Sequence, residues 1–495
     1  MINKSGLLGF FHSYLRTAIE SRYLSDDNRK NQVHTRLADY FYLCPEGQRR
    51  IDELPWHLAE VNSWDELTNL LTNRTFFPDA WRVNEFDIKR YWSTIEKYSK
   101  NTIAGSYSDC VKNPGTYTSE YLVMCSKLFE NTSHLCESSA LNKHLIDYFR
   151  NTSDIINYHK SLRNQAWILY QTGFLDRSME IHKELEGSCR KHSDLYSLQK
   201  SLGNQGLILF DKGDLQGAMI LHKEKERICR ETKNKESLHG SLGNQALIQK
   251  AWGNLDEAMR LHKEEELICR EIGDRDGLQR SLGNQALILK TRGNITWALQ
   301  LLKVNEEICR EIGKKDGLQT SLGNQALLLF EGQDRKSAMK LLKEQEVICR
   351  AIGNKDALQG CLGNEALILF DENDLDGAMS LHYEEEKICR ELQNKDGIQA
   401  CLANQANIMM EKGNSGEALR LYRESEMINR GLGKKEGLAI VLINQALIFK
   451  SRKEFEHALP LAKEAYDIAV SHGFSQLEKK ILPVYWDLCN PFSGL

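Results

Sequence analysis

The chain has 495 residues, with 65 Lys and Arg against 69 Asp and Glu and a formal net charge of −4 at pH 7. Charge this evenly balanced sets up no global field to gather nucleic acid or an anionic membrane surface. No apolar run reaches the roughly 18 residues a spanning helix needs, and the first residues lack a signal-peptide apolar core, so a cytoplasmic protein without membrane insertion is expected.

The N-terminal third, residues 1–156, shows helical patterning without repetition. A first stretch begins at Phe10-Phe11-His12-Ser13-Tyr14-Leu15-Arg16-Thr17-Ala18, and Arg36-Leu37-Ala38-Asp39-Tyr40-Phe41 continues the pattern. Arg50-Ile51-Asp52-Glu53-Leu54-Pro55-Trp56-His57-Leu58 and Trp64-Asp65-Glu66-Leu67-Thr68-Asn69-Leu70-Leu71 follow.

From Ser161 onward one phrase returns at a spacing of 40 residues, with copies beginning at Ser161, Ser201, Ser241, Ser281, Ser321, Cys361, Cys401 and Val441 and no insertion between them. The reference copy reads Ser281-Leu282-Gly283-Asn284-Gln285-Ala286-Leu287-Ile288-Leu289. A fixed period in this range marks a solenoid of stacked units. The array is expected over residues 157–470, with a capping helix and tail over 471–495.

One repeat reads as two helices. Asp276 is a candidate cap for helix A, whose Leu278, Leu282, Ala286 and Leu289 fall on one stripe at helical spacing. Gly293 suits a left-handed terminus, and Asn294 can cap helix B, expected from about Ile295 to Ile312. Asn254 with Glu257 and Asn414 with Glu417 have the spacing of a capping box. Ala298 and its equivalents mark a close helix contact, with Ser178 in the first copy. Cys189, Cys229, Cys269, Cys309, Cys349 and Cys389 share one phase, which Asn429 and Ala469 fill later; this fits a small packing position and reduced thiols.

The small Ala286, Gly293 before a cap, and Ala298 resemble the helix-turn-helix signature of tetratricopeptide repeats (TPRs), in the elongated form of kinesin light chains and nephrocystin-3. The likeness implies an all-α, right-handed superhelical solenoid of about eight 40-residue units. The usual unit is about six residues shorter, no large aromatic stands at the phase of Leu282, and no proline closes helix B. The N-terminal order around Leu54-Pro55-Trp56-His57-Leu58 resembles the winged-helix and helical junction that leads into the repeats of STAND-class signalling NTPases. A helical adaptor is therefore expected over residues 1–156. No Gly-x-x-x-x-Gly-Lys-Ser/Thr loop occurs; the nearest imitation is Gly431-Leu432-Gly433-Lys434-Lys435, between two repeats. Nucleotide hydrolysis, and any cofactor, is not expected.

The candidate site is the asparagine phase, Asn164, Asn204, Asn244, Asn284, Asn324, Asn364, Asn404 and Asn444, invariant within the chain. In related arrays helix A lines the concave groove, where such amides bond the backbone of an extended peptide; alternatively each Asn satisfies a carbonyl of the adjacent repeat. Partner selectivity is expected at positions that vary. One phase runs Tyr170, Phe210, Lys250, Lys290, Phe330, Phe370, Met410, Lys450, and Arg280 belongs to another. A peptide with apolar anchors around an acidic centre suits that pattern. His182, His222, His262 and His382 are read as packing residues and not as metal ligands, because equivalents in successive repeats lie too far apart to share one ion. The expected function is a non-catalytic scaffold that binds peptide or helical segments of partner proteins. The alternative is the ligand-sensing, autoinhibitory half of a STAND-type switch lacking its ATPase. A small-molecule ligand is not expected.

Overall fold

In a computed structural model the described residues are 2–4, 7–9, 26–45 and 47–489. The expected helical start over Phe10–Ala18 lies outside them. Ile2–Lys4 pairs antiparallel with Leu7–Gly9, Asn3 opposite Leu8, as the only sheet among the described residues. Everything else regular is helical, and the chain forms two compact units, Met1–Thr232 and Lys233–Leu495.

The first unit begins with Asp27–Leu43, Gln48–Glu60, Trp64–Leu71 and Phe76–Tyr98, the last broken at Asn84, whose backbone leaves the helical region. The Leu-Pro-Trp-His-Leu motif lies on the second helix, and there Leu54, His57 and Leu58 are buried. His57 meets His34 with the two Nδ1 atoms 2.8 Å apart, and Phe41 stacks on its ring at 5.7 Å. Further along, Phe77, Trp92, Tyr107 and Phe129 fill an aromatic core, and the Tyr107 hydroxyl donates to the Leu71 carbonyl at 2.7 Å. Ser119–Asn131 and Leu135–Asn151 lead into the first two repeats, Ile155–His192 and Leu195–Glu231.

The second unit holds six repeats. Their A helices are Lys235–Ala251, Arg275–Thr291, Lys315–Glu331, Lys355–Asp371, Lys395–Glu411 and Lys435–Ser451. Their B helices are Leu255–Ile272, Ile295–Glu311, Arg335–Ile352, Leu375–Glu391, Ser415–Leu432 and Phe455–Ser471, and Ser475–Cys489 closes the series.

Each A-to-B turn reverses the chain through one left-handed residue. Gly293 has φ +76°, and Gln333 and Asn373 hold the same conformation without glycine. The amide of Asn294 reaches back to the Leu289 carbonyl at 2.9 Å, closing the last turn as a Schellman motif does. Caps differ in detail from the sequence pattern. Helix A is capped by Asp274, which accepts from Gly277 N at 3.0 Å; Asp276 lies two residues inside, in the first turn. Neither expected capping box forms. Asn414 accepts from Glu417 N at 3.2 Å, but the Glu417 carboxylate is taken by Arg420. Asn254 instead donates to Gln249, and Glu257 pairs with Arg260. An arginine three residues on competes for the carboxylate that the box needs.

The packing phases are buried as their residue types require: Leu282 and Ala286 at 1% exposure, Ala298 and Cys309 at 0%. Glycine inside helix A, normally a cost of about 1 kcal/mol relative to Ala, has a steric reason. A Cβ at Gly323 would lie 2.7 Å from Gln345 Nε2, and one at Gly363 2.7 Å from Glu385 Oε1. The missing side chain makes room for a long polar residue on helix B. All thirteen cysteines are free thiols.

Because Ala298 has no exposed surface, Ala298→Leu should overpack the A–B contact and lower stability by about 1–3 kcal/mol. Urea denaturation of the variant against the parent, followed by helicity, checks this; an unchanged midpoint contradicts the assignment.

Candidate peptide-binding face

Two neighbouring amides of the repeated phrase have opposite surroundings. Gln205, Gln285, Gln325, Gln405 and Gln445 are buried, and each donates through Nε2 to a glutamate on the preceding helix B, at 2.7–2.8 Å: Glu186, Glu266, Glu306, Glu386 and Glu426. Asn204, Asn244, Asn284, Asn324, Asn364 and Asn404 stand one position earlier, half-buried, and their carboxamides hydrogen-bond to no other described residue. Successive helical residues are turned by about 100°, so when the glutamine points into the joint between repeats, the asparagine faces outward. Asn444 departs from this, being bonded to Tyr422.

Some sequence-selected residues come together and others do not. Arg280, Asn284 and Asn324 line one cavity of about 400 Å³ between two successive A helices, with Thr320, Gly283 and Gly317. Lys290 is already paired with Glu331 at 2.9 Å, whereas Lys250 has no ion-pair partner among the described residues. Phe330 packs beside Ala326, Ala338 and Ile368, and Phe370 beside Ala378 and Met379. Both rings are half-buried and rim the core.

Charged side chains on helix B form a second ladder, whose contacts from one repeat to the next the sequence pattern alone did not single out. Arg310 holds Glu306 of its own helix at 2.8 Å and Glu344 of the next at 2.6 Å. Arg390 does the same with Glu386 and Glu424, and in the first unit Arg190 joins Glu186 to Glu224. The recurrent Arg, its Glu four residues earlier and a second Glu 34 residues later carried the signal.

Each histidine of the His182 phase belongs to its own repeat. His262 and His382 bond Glu265 and Glu385 at 2.8 and 2.7 Å. Burial pushes His182 down to about 4 and His222 down to about 3, with Arg163 and Lys225 adding to the effect. Donor atoms do converge elsewhere, in His159, Cys189 and Asp194, in His239, Cys269 and Asp274, and in Glu385, Cys389 and Cys401. The first set is not a nucleophilic triad. His159 Nδ1 meets both Asp194 (2.7 Å) and Cys189 (3.7 Å), whereas a relay needs the acid and the nucleophile on opposite ring nitrogens. Burial, with Asp194 nearby, also holds the Cys189 thiol up at about 12.

The fold is that of a TPR solenoid. No family model matches the chain. A TPR repeat-containing protein of Dictyostelium discoideum is 29% identical over 100 residues, which is 20% of this chain and 6% of that protein's length. A STAND protein with a TPR sensor from Pyrococcus horikoshii shares the fold at TM-score 0.52 and 12% identity, over 80% of this chain and 68% of that one. A TPR protein from Parabacteroides merdae aligns at TM-score 0.40 and 16% identity, over 57% and 98%. Among the described residues no helix is long and apolar enough to cross a membrane.

A histidine held near 4 in the folded chain against about 6.5 unfolded favours folding fully above pH 6.5, and loses that contribution as pH falls through 4. Acidification from pH 7 to 4.5 should therefore destabilise the helices around His182 by on the order of 1–3 kcal/mol. His182→Leu, which copies Leu302 and Leu342, should flatten that slope. Amide exchange over Leu195–Asp211 at several pH values reads the difference, and equal slopes in parent and variant contradict the assignment.

Proposed function

We propose that the chain is a non-catalytic interaction scaffold whose helix-A face binds extended or helical segments of partner proteins through the asparagine ladder. The observation that carries this reading is the contrast within the phrase: the glutamines are buried and bonded, while the adjacent asparagines keep unpaired carboxamides on a half-exposed surface. A carboxamide offers a donor and an acceptor together, which matches the N–H and C=O of a peptide main chain. Recognition of this kind grips backbone without reading side chains. Selectivity then falls to Arg280 and Lys250 for acidic residues, and to the rims of Phe330 and Phe370 for apolar ones. Lys290 contributes less, because Glu331 already neutralises it.

A second reading is supported by the likeness in fold to a STAND protein with a TPR sensor. In it the array is a sensing arm that controls an NTPase module, and the helices preceding residue 157 join the two. ATP turnover by such a module that responds to this array, and not to one with the asparagines replaced, separates this reading from a free-standing scaffold.

Peptides selected against the intact chain from a displayed library should lose roughly tenfold or more in affinity for a chain carrying Asn244→Ala, Asn284→Ala and Asn324→Ala, since each lost hydrogen bond is worth about 0.5–1.5 kcal/mol. Circular dichroism should be unchanged. Undiminished affinity removes the ladder from recognition, and lost helicity assigns it to the fold.

A further inference from the structure

We propose that two pockets inside the array, His159 with Cys189 and Asp194 and His239 with Cys269 and Asp274, each bind one divalent transition-metal ion of the zinc class. This is independent of the peptide-binding face. In both pockets an imidazole nitrogen, a thiol sulfur and a carboxylate oxygen lie within 4.8 Å of one another. Imidazole, thiolate and carboxylate together are the donor set zinc takes, and three protein ligands leave a fourth position for water.

The geometry is close to what an ion needs. Tetrahedral coordination at zinc bond lengths places N and O about 3.3 Å apart and N and S about 3.5 Å apart. His239 Nε2 lies 3.3 Å from Asp274 Oδ2, and His159 Nδ1 lies 3.7 Å from Cys189 Sγ. The His159–Asp194 contact, a 2.7 Å hydrogen bond, has to open by about half an ångström. One oxygen of each carboxylate is fixed as a helix cap, Asp194 Oδ1 by Ser197 N and Asp274 Oδ1 by Gly277 N, which leaves the other oxygen for the pocket. Ser188 Oγ holds His159 Nε2 at 2.8 Å and so orients the ring, as outer partners of metal-bound histidines do. The thiols are fully buried, while the aspartate side chains, 27% and 29% exposed, provide the way in. On binding, the thiol releases its proton to solvent and the sulfur lone pair forms the metal bond.

The chain carries its own comparison. At the same three phases other repeats have Gln199, Cys229 and Asn234, or Gln359, Cys389 and Asn394. There the thiol donates to the glutamine oxygen, at 2.9 Å for Cys229 and 2.8 Å for Cys389, and Asn394 Nδ2 bonds Gln359 Oε1 at 3.0 Å. Amides thus complete the packing with no ionisable group except the thiol. Histidine appears at this phase only where the cap is aspartate; the glutamine repeats carry Asn234, Asn354 and Asn394, or Lys314 and Lys434, in its place. The third convergent set, Glu385 with Cys389 and Cys401, is left out because it is wholly buried and Glu385 is engaged by His382.

The test uses the full chain, titrated with zinc or cobalt(II) alone and desalted before metal analysis. Variants H159Q/D194N and H239Q/D274N install residues that the fold already accepts at these phases. Each pair should lower bound metal by one equivalent, and the two together by two, with loss of the thiolate-to-cobalt charge-transfer band and no loss of helicity. A parent without retained metal or band, or a four-site variant that keeps both, overturns the proposal. Should the four-site variant lose helicity, Cys189→Ala with Cys269→Ala, which copies Ala469 at the same phase, decides: loss of two equivalents supports the pockets, and unchanged uptake rejects them.

Discussion

Within each unit the joint between one repeat and the next depends on a buried polar contact. Ser281 and Gln285, one helical turn apart on helix A, meet two groups one turn apart on the preceding helix B. The serine hydroxyl donates to the His262 carbonyl at 2.8 Å, and the glutamine amide donates to Glu266 at 2.8 Å. Ser201 and Gln205 repeat this on His182 and Glu186. A buried donor that loses its acceptor costs about 1–3 kcal/mol, on the scale of the packing losses at the apolar contacts. A one-residue insertion within helix A between Ser281 and Gln285, or within helix B between His262 and Glu266, would turn one of the two groups off its partner by about 100°. The joint between repeats is thus fixed by these polar contacts together with the buried leucines.

The same contact determines what the surface can do. Once the glutamine is committed to the joint, helical geometry turns the preceding asparagine away from it, and from Asn204 to Asn404 no described residue supplies its carboxamide with a partner, whereas Asn444 meets Tyr422. On helix B the glutamate that receives the glutamine is also held by an arginine, as Glu306 is by Arg310. The exposed part of that network adds little stability by itself. Its use is positional, because the arginine keeps the carboxylate aimed at the buried amide.

Much of this is legible in the chain itself. Leu282, Ala286 and Ala298 show their burial by spacing and size, and Gly293 shows its turn, since these are properties of one residue in a local frame. Contacts between repeats are hidden for a physical reason. Gln285 meets a residue 19 positions back and Arg310 one 34 positions on, and neither separation produces a helical period. The cap of helix A lies at Asp274, two residues before the position the pattern suggests, because Asp276 is an equally good cap by type; only the backbone amide of Gly277 decides. The His159 and His239 pockets are legible in principle, through a histidine and an aspartate 35 residues apart that change together, but the pairing of metal donors on one helix face points to His222 and Cys229 instead.

Residue 365 tests whether the joint is a charge-balanced device or only a shape. Here the phrase has Glu365 in place of glutamine, fully buried and facing Glu346, so two carboxylates meet where an amide and a carboxylate meet elsewhere. Lys343 is drawn between them, 3.1 Å from Glu346 and in contact with Glu365. Burial raises the Glu365 pKa despite the lysine, whereas Glu346 is lowered because Arg350 and Lys343 together outweigh its partial burial. A lysine stands at the equivalent phase in most repeats, as Lys183, Lys223, Lys263 and Lys303, and is exposed there. The cation that compensates Glu365 is therefore one the phase also carries in repeats with a glutamine at the joint. The joint thus accommodates a second carboxylate at this position because Lys343 bridges the two, and its charge is balanced there within the joint itself.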